Sequence, residues 1–387
     1  MTPIPFRIDV PDAVLDDLRR RLDLARWPHQ TSGSAWSQGT DVAWLRELVR
    51  YWRDEFDWRG EEQALNRFPQ FTTDLDGHRL HFVHVRARSG RGRPKPLVLT
   101  HGWPSTFTEL LGLVGPLTDP AAYGAPDAPG FHVVIPSLPR FGFSSVPDTD
   151  GEPRIDTLWR RLMVDVLGYP TFFAHGTDIG ARVTSCLGRF HQDVVRAIHL
   201  GSVDLEWPAQ VPPDDALSAA ERAYVRNVKA WDEDEGGYCH QQATRPQTLA
   251  FGLNDSPVGL AAWIVEKYRA WSDCGGDLQA CFSKDQLLVN IFIYWATQTI
   301  GPSLRRYRQM RVAPPYPRLA PGERIDTPTG IAMFPGERLL VVPREWAHRC
   351  YNVVHWTDMP RGGHFPALEQ PALLVEDLRR FFARFEA

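Results

Sequence analysis

The chain has 387 residues, of which 43% are apolar, so it exceeds one typical domain and can bury a sizeable core without disulfide or metal staples. Its 43 basic and 47 acidic residues leave a formal charge of −4 with no long block of either sign. That balance excludes the usual footprint of a nucleic-acid or anionic-membrane binder and suits a small neutral partner.

Five scattered cysteines, Cys186, Cys239, Cys274, Cys281 and Cys350, show no CxxC or Cys/His ligand spacing. They argue for a reducing compartment and against structural zinc. The N-terminal residues reach charge too soon for a signal peptide, and no window of roughly 18 apolar residues occurs. A soluble, cytoplasmic protein is expected.

Pro11-Asp12 opens a helical pattern with Val14, Leu15, Leu18 and Leu22 on one stripe, ended by Trp27-Pro28; Asp12 and Asp41 are expected N-caps. A second amphipathic helix carries Trp44, Leu45, Leu48, Val49, Trp52 and Phe56, whose aromatics read as core. Asp76-Gly77 sits between two strand-like runs and marks a hairpin. The basic, Gly-rich stretch from Ala87 to Lys95 reads as a solvated loop.

From Pro96 onward short apolar runs alternate with helical stretches: 96–100, 131–135, 171–175 and 197–200, then 330–334 and 352–356. This order predicts a mostly parallel sheet flanked by helices. Between about 205 and 325 the strand signal gives way to helical patterns such as 259–271 and 286–299, a helical cap inserted between two sheet strands. A helix over 372–385 closes the chain.

After the strand at 171–175 comes Gly176-Thr177-Asp178-Ile179-Gly180 and then a helix-like run. Strand, small-x-nucleophile-x-small, helix is the nucleophile-elbow pattern, here with a carboxylate at its centre. Gly39-Thr40-Asp41-Val42-Ala43 has nearly the same letters but no buried strand before it, so context selects Asp178. A carboxylate of unperturbed pKa about 3.9 is already charged and can displace a leaving group at saturated carbon, which favours alkyl over acyl transfer.

Directly after the first buried strand stands His101-Gly102-Trp103-Pro104. The loop there donates a backbone N–H that pairs with the N–H following the nucleophile, so Trp103 and Ile179 are the expected oxyanion donors. His101 reads as a side chain that holds its own loop. His364, in Arg361-Gly362-Gly363-His364-Phe365, is the one histidine after the last strand and the expected base. The acid that orients it must lie between cap and histidine. Among Glu323, Asp326, Glu337, Glu345 and Asp358, Glu337 fits best by following the 330–334 strand, with Glu345 the alternative; Glu323 and Asp326 precede that strand.

These motifs resemble the epoxide hydrolase family, specifically the branch of microsomal and juvenile-hormone epoxide hydrolases and related bacterial and fungal enzymes. The similarity spans nearly the whole chain, including the N-terminal extension, His101-Gly-Trp-Pro104, Asn254-Asp-Ser-Pro-Val-Gly-Leu-Ala-Ala262 and Arg361-Gly-Gly-His364-Phe. The resemblance implies an α/β-hydrolase fold in four pieces: an extension (1–95), a first core segment (96–204), a helical cap (205–325) and a second core segment (326–387). It implies Asp178 as nucleophile, Glu337 as relay acid and His364 as base. Two cap tyrosines that hydrogen-bond the epoxide oxygen match Tyr238 and Tyr307. Either tyrosine alone would read as core or surface, but a phenol of pKa about 10 stays protonated at neutral pH and can serve an opening epoxide.

The expected reaction is epoxide plus water to a vicinal diol through an Asp178 alkyl ester. It needs no cofactor, metal, nucleic acid or membrane, and members of the family often dimerise, so a homodimer is expected. Two features depart from the family. The common Gly-Gly-Asp-Trp-Gly elbow is Gly-Thr-Asp-Ile-Gly here, which removes an aromatic wall, and no stretch like the microsomal membrane anchor is found. The alternatives are a haloalkane dehalogenase, whose halide clamp usually includes an indole where Ile179 stands, and a catalytically silent small-molecule receptor.

Overall fold

The computed structural model describes residues 2–145, 153–203, 213–320, 322–337 and 341–386. Among them the apolar runs form β1 (Ile4–Phe6), β2 (Gln70–Leu75), β3 (His78–Val85), β4 (Lys95–Thr100), β5 (Phe131–Pro136), β6 (Phe172–Gly176), β7 (Val195–Leu200), β8 (Ile325–Met333) and β9 (Tyr351–Asp358). They make one sheet in the order β1-β2-β3-β5-β4-β6-β7-β8-β9. From β5 through β9 all neighbours are parallel, whereas β1, β2 and β3 add antiparallel strands at one side, β3 joining β5 with Phe82 opposite Pro136. Parallel strands need both faces covered, and Leu97, Val98 and Leu99, like Val133, Val134 and Ile135, are wholly buried.

The helices are α1 (Asp12–Asp23), α2 (Val42–Asp54), α3 (Trp58–Leu65), α4 (Leu111–Thr118), α5 (Ile155–Arg161), α6 (Ile179–Phe190), α7 (Ala219–Glu235), α8 (Gly237–Thr244), α9 (Pro246–Asp255), α10 (Pro257–Trp271), α11 (Lys284–Thr297), α12 (Ile300–Val312), α13 (Arg344–Cys350), α14 (Pro366–Glu369) and α15 (Pro371–Phe382). Helices α5 and α6 pack together against the sheet, as do α4 and α15. Helices α7 to α12 lie between β7 and β8, where the cap is expected; the division expected at 204/205 lies outside the described residues.

The hairpin forms at Asp76-Gly77, both residues left-handed (φ 51° and 80°), a turn whose twist matches that of the strands. Because β2 and β3 join the main sheet, the sheet continues across residue 95. The preceding helices instead bind the cap region: Thr40 Oγ1 donates to the Ala262 carbonyl (2.7 Å), Tyr51 Oη to Asp285 (2.8 Å), and Trp58 packs on Phe292.

Four local expectations are corrected. Asp41 caps α2 by accepting from the Trp44 amide at 2.8 Å, but Asp12 is the first residue of α1, behind an extended Pro11, and its carboxylate pairs with Arg59. Helix α1 ends at Asp23, before Trp27-Pro28, and Phe56 lies beyond the end of α2. Strand β8 begins at Ile325, so Asp326 is an exposed residue inside its first turn of pleat, because Ile325 and Thr327 bury the alternate positions.

Behind the sheet a polar chain crosses the core. His175 Nδ1 and His199 Nδ1 lie 2.9 Å apart, His199 Nε2 and His355 Nε2 each lie 2.9 Å from an Asp377 oxygen, and Thr357 donates to the same carboxylate at 2.6 Å. Burial works against the Asp377 charge, but hydrogen bonds from His199, His355 and Thr357 outweigh it and hold the carboxyl well below the usual range. A depressed carboxyl stabilises the fold above its unfolded pKa, and that contribution is lost as pH falls. Asp377→Asn is therefore expected to lower the unfolding free energy by about 2–3 kcal/mol near neutral pH in urea melts, with the difference from wild type shrinking below about pH 4.

Candidate active site

Loops following β4, β6, β8 and β9 converge at the C-terminal ends of the parallel strands. Strand β4 is flanked by β5 on one side and β6 on the other, so consecutive connections diverge there and leave the crevice in which open α/β sheets place their ligands. Asp178 stands at the turn from β6 into α6 with φ 50° and ψ −124°, a conformation costing on the order of 1–3 kcal/mol for a non-glycine residue. Neighbouring residues are small because the turn is pressed against β4. A Cβ on Gly176 would come within 2.2 Å of the Gly180 carbonyl oxygen, and one on Gly180 within 2.0 Å of that of Thr100. Ser202 Oγ accepts the Asp178 amide (2.9 Å) and fixes the strained residue.

The carboxylate of Asp178 faces two ways. Oδ1 accepts the Trp103 amide at 2.8 Å, and the Ile179 amide also hydrogen-bonds the carboxylate. Oδ2 lies 3.7 Å from His364 Nε2. Gly102 makes this possible: a Cβ there would lie 2.3 Å from Oδ1. Burial raises the Asp178 carboxyl, while His364 and the two amides favour its ionised form.

His364 is fixed from both ends. Its amide donates to the Trp271 carbonyl (3.0 Å), and its Nδ1 lies 2.7 Å from Glu337 Oε2. Glu337 follows β8 in a turn pinned by the Gly336 amide on the Gly362 carbonyl (2.8 Å). Burial alone would lower the imidazole, but the Glu337 carboxylate, with Asp178 beyond it, pushes it up to about 9.

Tyr238 and Tyr307 come from α8 and α12, and their rings meet edge to face at 6.0 Å. Both contact Trp103, Tyr238 stacked at 5.4 Å and Tyr307 edge-on at 5.7 Å. Burial, reinforced by the Cys239 thiol for Tyr238 and by Tyr238 for Tyr307, raises both phenols well above their ordinary value and keeps them protonated. The ammonium of Lys267 lies over the Tyr238 ring at 4.8 Å.

Thus Asp178, His364, Glu337, Tyr238, Tyr307, Trp103 and Ile179 are brought to one place. His101 holds its loop: Nδ1 donates to the Gly102 carbonyl (3.0 Å) and Nε2 accepts the Leu138 amide (3.2 Å). The other acid candidates lie elsewhere, Glu345 exposed in the first turn of α13, Asp358 paired with Arg344, and Glu323 with Arg189. Sequence reasoning missed Ser202, the steric role of Gly102, Lys267 and a buried acid, Glu109. Of these only Gly102, beside the expected oxyanion donor, carried a signal. Among the described residues no group of three or more His, Cys, Asp or Glu is placed to hold a metal ion.

A carboxylate on a strained elbow, backed by an imidazole–carboxylate pair and roofed by helices, defines an α/β-hydrolase with an acid rather than an alcohol at the centre of its elbow. Residues 3–110 match the family model described as epoxide hydrolase N terminus. A relative from Stigmatella aurantiaca that carries an epoxide hydrolase name is 42% identical over 386 residues, covering 99% of this chain and 85% of its own. Epoxide hydrolase 1 of Oryctolagus cuniculus is 35% identical over 412 residues, covering 99% and 89%. Among solved structures, the epoxide hydrolase of Aspergillus niger superposes with a TM-score of 0.83 at 32% identity, covering 99% of this chain and 97% of that one. The chain belongs to the epoxide hydrolase family.

Substituting Gly102 by Ala should displace Asp178 Oδ1 from the Trp103 amide. Loss of one such donor corresponds to a fall in kcat of about 100-fold or more, measured on an epoxide substrate, with the thermal midpoint held close to wild type as the control for folding.

Proposed function

We propose that this chain hydrolyses an epoxide to a vicinal diol through a covalent ester on Asp178. The observation that carries the reading is the divided carboxylate: Oδ1 sits on the Trp103 amide at 2.8 Å while Oδ2 is left facing His364. Oδ2 attacks a ring carbon, the carbon–oxygen bond of the oxirane breaks, and the departing oxygen takes a proton from Tyr238 or Tyr307. In the second half, His364 Nε2 takes a proton from water, and the resulting hydroxide adds to the Asp178 carboxyl carbon. Negative charge then gathers on Oδ1, already at the Trp103 amide, with the Ile179 amide also bonded to the carboxyl group. Collapse breaks the ester bond, the departing diol oxygen takes the proton held by His364, and Asp178, regenerated carrying an oxygen from water, gives up the second water proton, which restores the tyrosine.

In this reading residues 205–325 act as the cap that carries the two tyrosines, and 1–95 as the extension that braces it. The scattered cysteines support action in a reducing compartment, the cytoplasm. No helix among the described residues is long and apolar enough to cross a membrane.

Charge on Asp178 supports the protonated state of His364, and esterification removes that charge. The imidazole of the ester form should therefore lose its proton below the value of about 9 that it has beside the free carboxylate. Ester hydrolysis is expected to rise with pH, with a half-point below about 9.

Two measurements test the scheme. In heavy-oxygen water with enzyme in excess, the first turnover should place label in the Asp178 peptide and leave the diol unlabelled. With His364→Gln, intact-protein mass spectrometry should show the ester accumulating. Label appearing directly in first-turnover diol would sink the covalent route, and halide release from chlorinated alkanes without epoxide turnover would favour a dehalogenase.

A further inference from the structure

Beneath the histidine loop the fold buries a carboxyl that the proposed reaction does not use. Glu109 lies in the 3-10 turn Phe107–Leu110, 3% exposed. Its Oε1 accepts no hydrogen bond from any donor among the described residues, and the Ser105 hydroxyl bonds the carboxyl. Ser105 Oγ lies 2.9 Å from the Tyr268 hydroxyl, and the Tyr268 ring lies flat on Phe365, centroids 4.2 Å apart, next in sequence to His364. Three contacts, through Ser105 and Tyr268, therefore join this acid to the loop of His364. A half-satisfied carboxyl in such a place is destabilising, and packing alone would be served better by an apolar or amide side chain.

The groups that interact with it electrostatically are His364, Asp178, Glu369 of α14, Tyr268 of α10 and Tyr294 of α11. His364 is the cation within that set. The oxygens of Glu369 already accept the Asp273 and Phe365 amides at 2.7 and 2.8 Å, and Glu337 is hydrogen-bonded to His364 itself. Glu109 is thus the acid near the imidazole that neither orients it nor braces its loop by an amide contact.

We propose that Glu109 is a positioning residue of the hydrolytic half-reaction, whose negative charge beneath the loop strengthens the hold of His364 on its proton and so sets the pH at which the imidazole is a free base. This rests on the reading of His364 as the base. Burial pushes the Glu109 carboxyl up to about 7, so its own charge changes within the working range of His364.

The test uses the full chain and a single turnover, with ester formation and decay followed separately from about pH 5 to 10. Glu109→Gln removes the charge and should move the half-point of ester decay down by about one pH unit. That is the size expected of a unit charge within ~10 Å at an effective dielectric near 20. Ester formation should be little changed, and Glu109→Asp, which keeps the charge, should stay near wild type. An unmoved half-point in Glu109→Gln, or an equal shift in Glu109→Asp, overturns the proposal. Should Glu109→Gln fail to fold, Ser105→Ala decides. It removes a hydroxyl that favours the Glu109 anion, so a smaller downward shift supports the proposal and no shift refutes it. Absence of any ester in the wild type would strike the proposed function instead.

Discussion

Much of the molecule is organised around keeping one carboxylate oxygen of Asp178 on the Trp103 amide while the other stays free. Charge removed from water is costly unless hydrogen bonds replace the lost hydration. Two amides and a nearby imidazole supply that replacement. The Trp103 amide faces Oδ1, which in the proposed reaction becomes the oxyanion of ester hydrolysis, so that oxygen need not travel and that donor need not reorganise. The strained backbone at Asp178, the glycines on either side and the glycine at 102 are all consequences of fitting this contact against β4.

Trp103 joins the two halves of the site. Its main chain belongs to the core and meets Asp178, whereas its ring stacks on Tyr238 and meets Tyr307 edge-on. A shift of α8 or α12 would therefore be felt at the same residue that holds the Asp178 carboxylate. The N-terminal helices steady that arrangement from outside through Thr40, Tyr51 and Trp58, which contact α10 and α11. Apolar stacking gives these contacts little directional choice, so the hydrogen bonds at Ala262 and Asp285 fix the register.

Electrostatically the site is richer in acid than in base. Asp178, Glu337 and Glu109 all act on His364, and together they overcome the burial that would otherwise lower its proton affinity. An imidazole held this way is a poor base until one of the negative charges is neutralised. In the proposed reaction alkylation of Asp178 does that, so the first step prepares the group needed for the second.

The sequence by itself determined what could be written in one dimension: the alternation of strands and helices, the turn at Asp76-Gly77, the elbow at Asp178 and the succession of Asp178, Glu337 and His364 along the chain. Each depends on neighbours a few residues away, or on a fixed order along the chain, and so leaves a local signature. Helix ends were less legible, as Asp12 and Trp27-Pro28 show, because several residues there can satisfy the same free amides. Tertiary structure alone decided that the N-terminal hairpin extends the main sheet, that Ser202 holds the Asp178 amide, and that Glu109 lies within electrostatic reach of His364. Those facts arise where segments far apart in the chain pack together, and contacts across such distances impose no spacing that a single sequence can display.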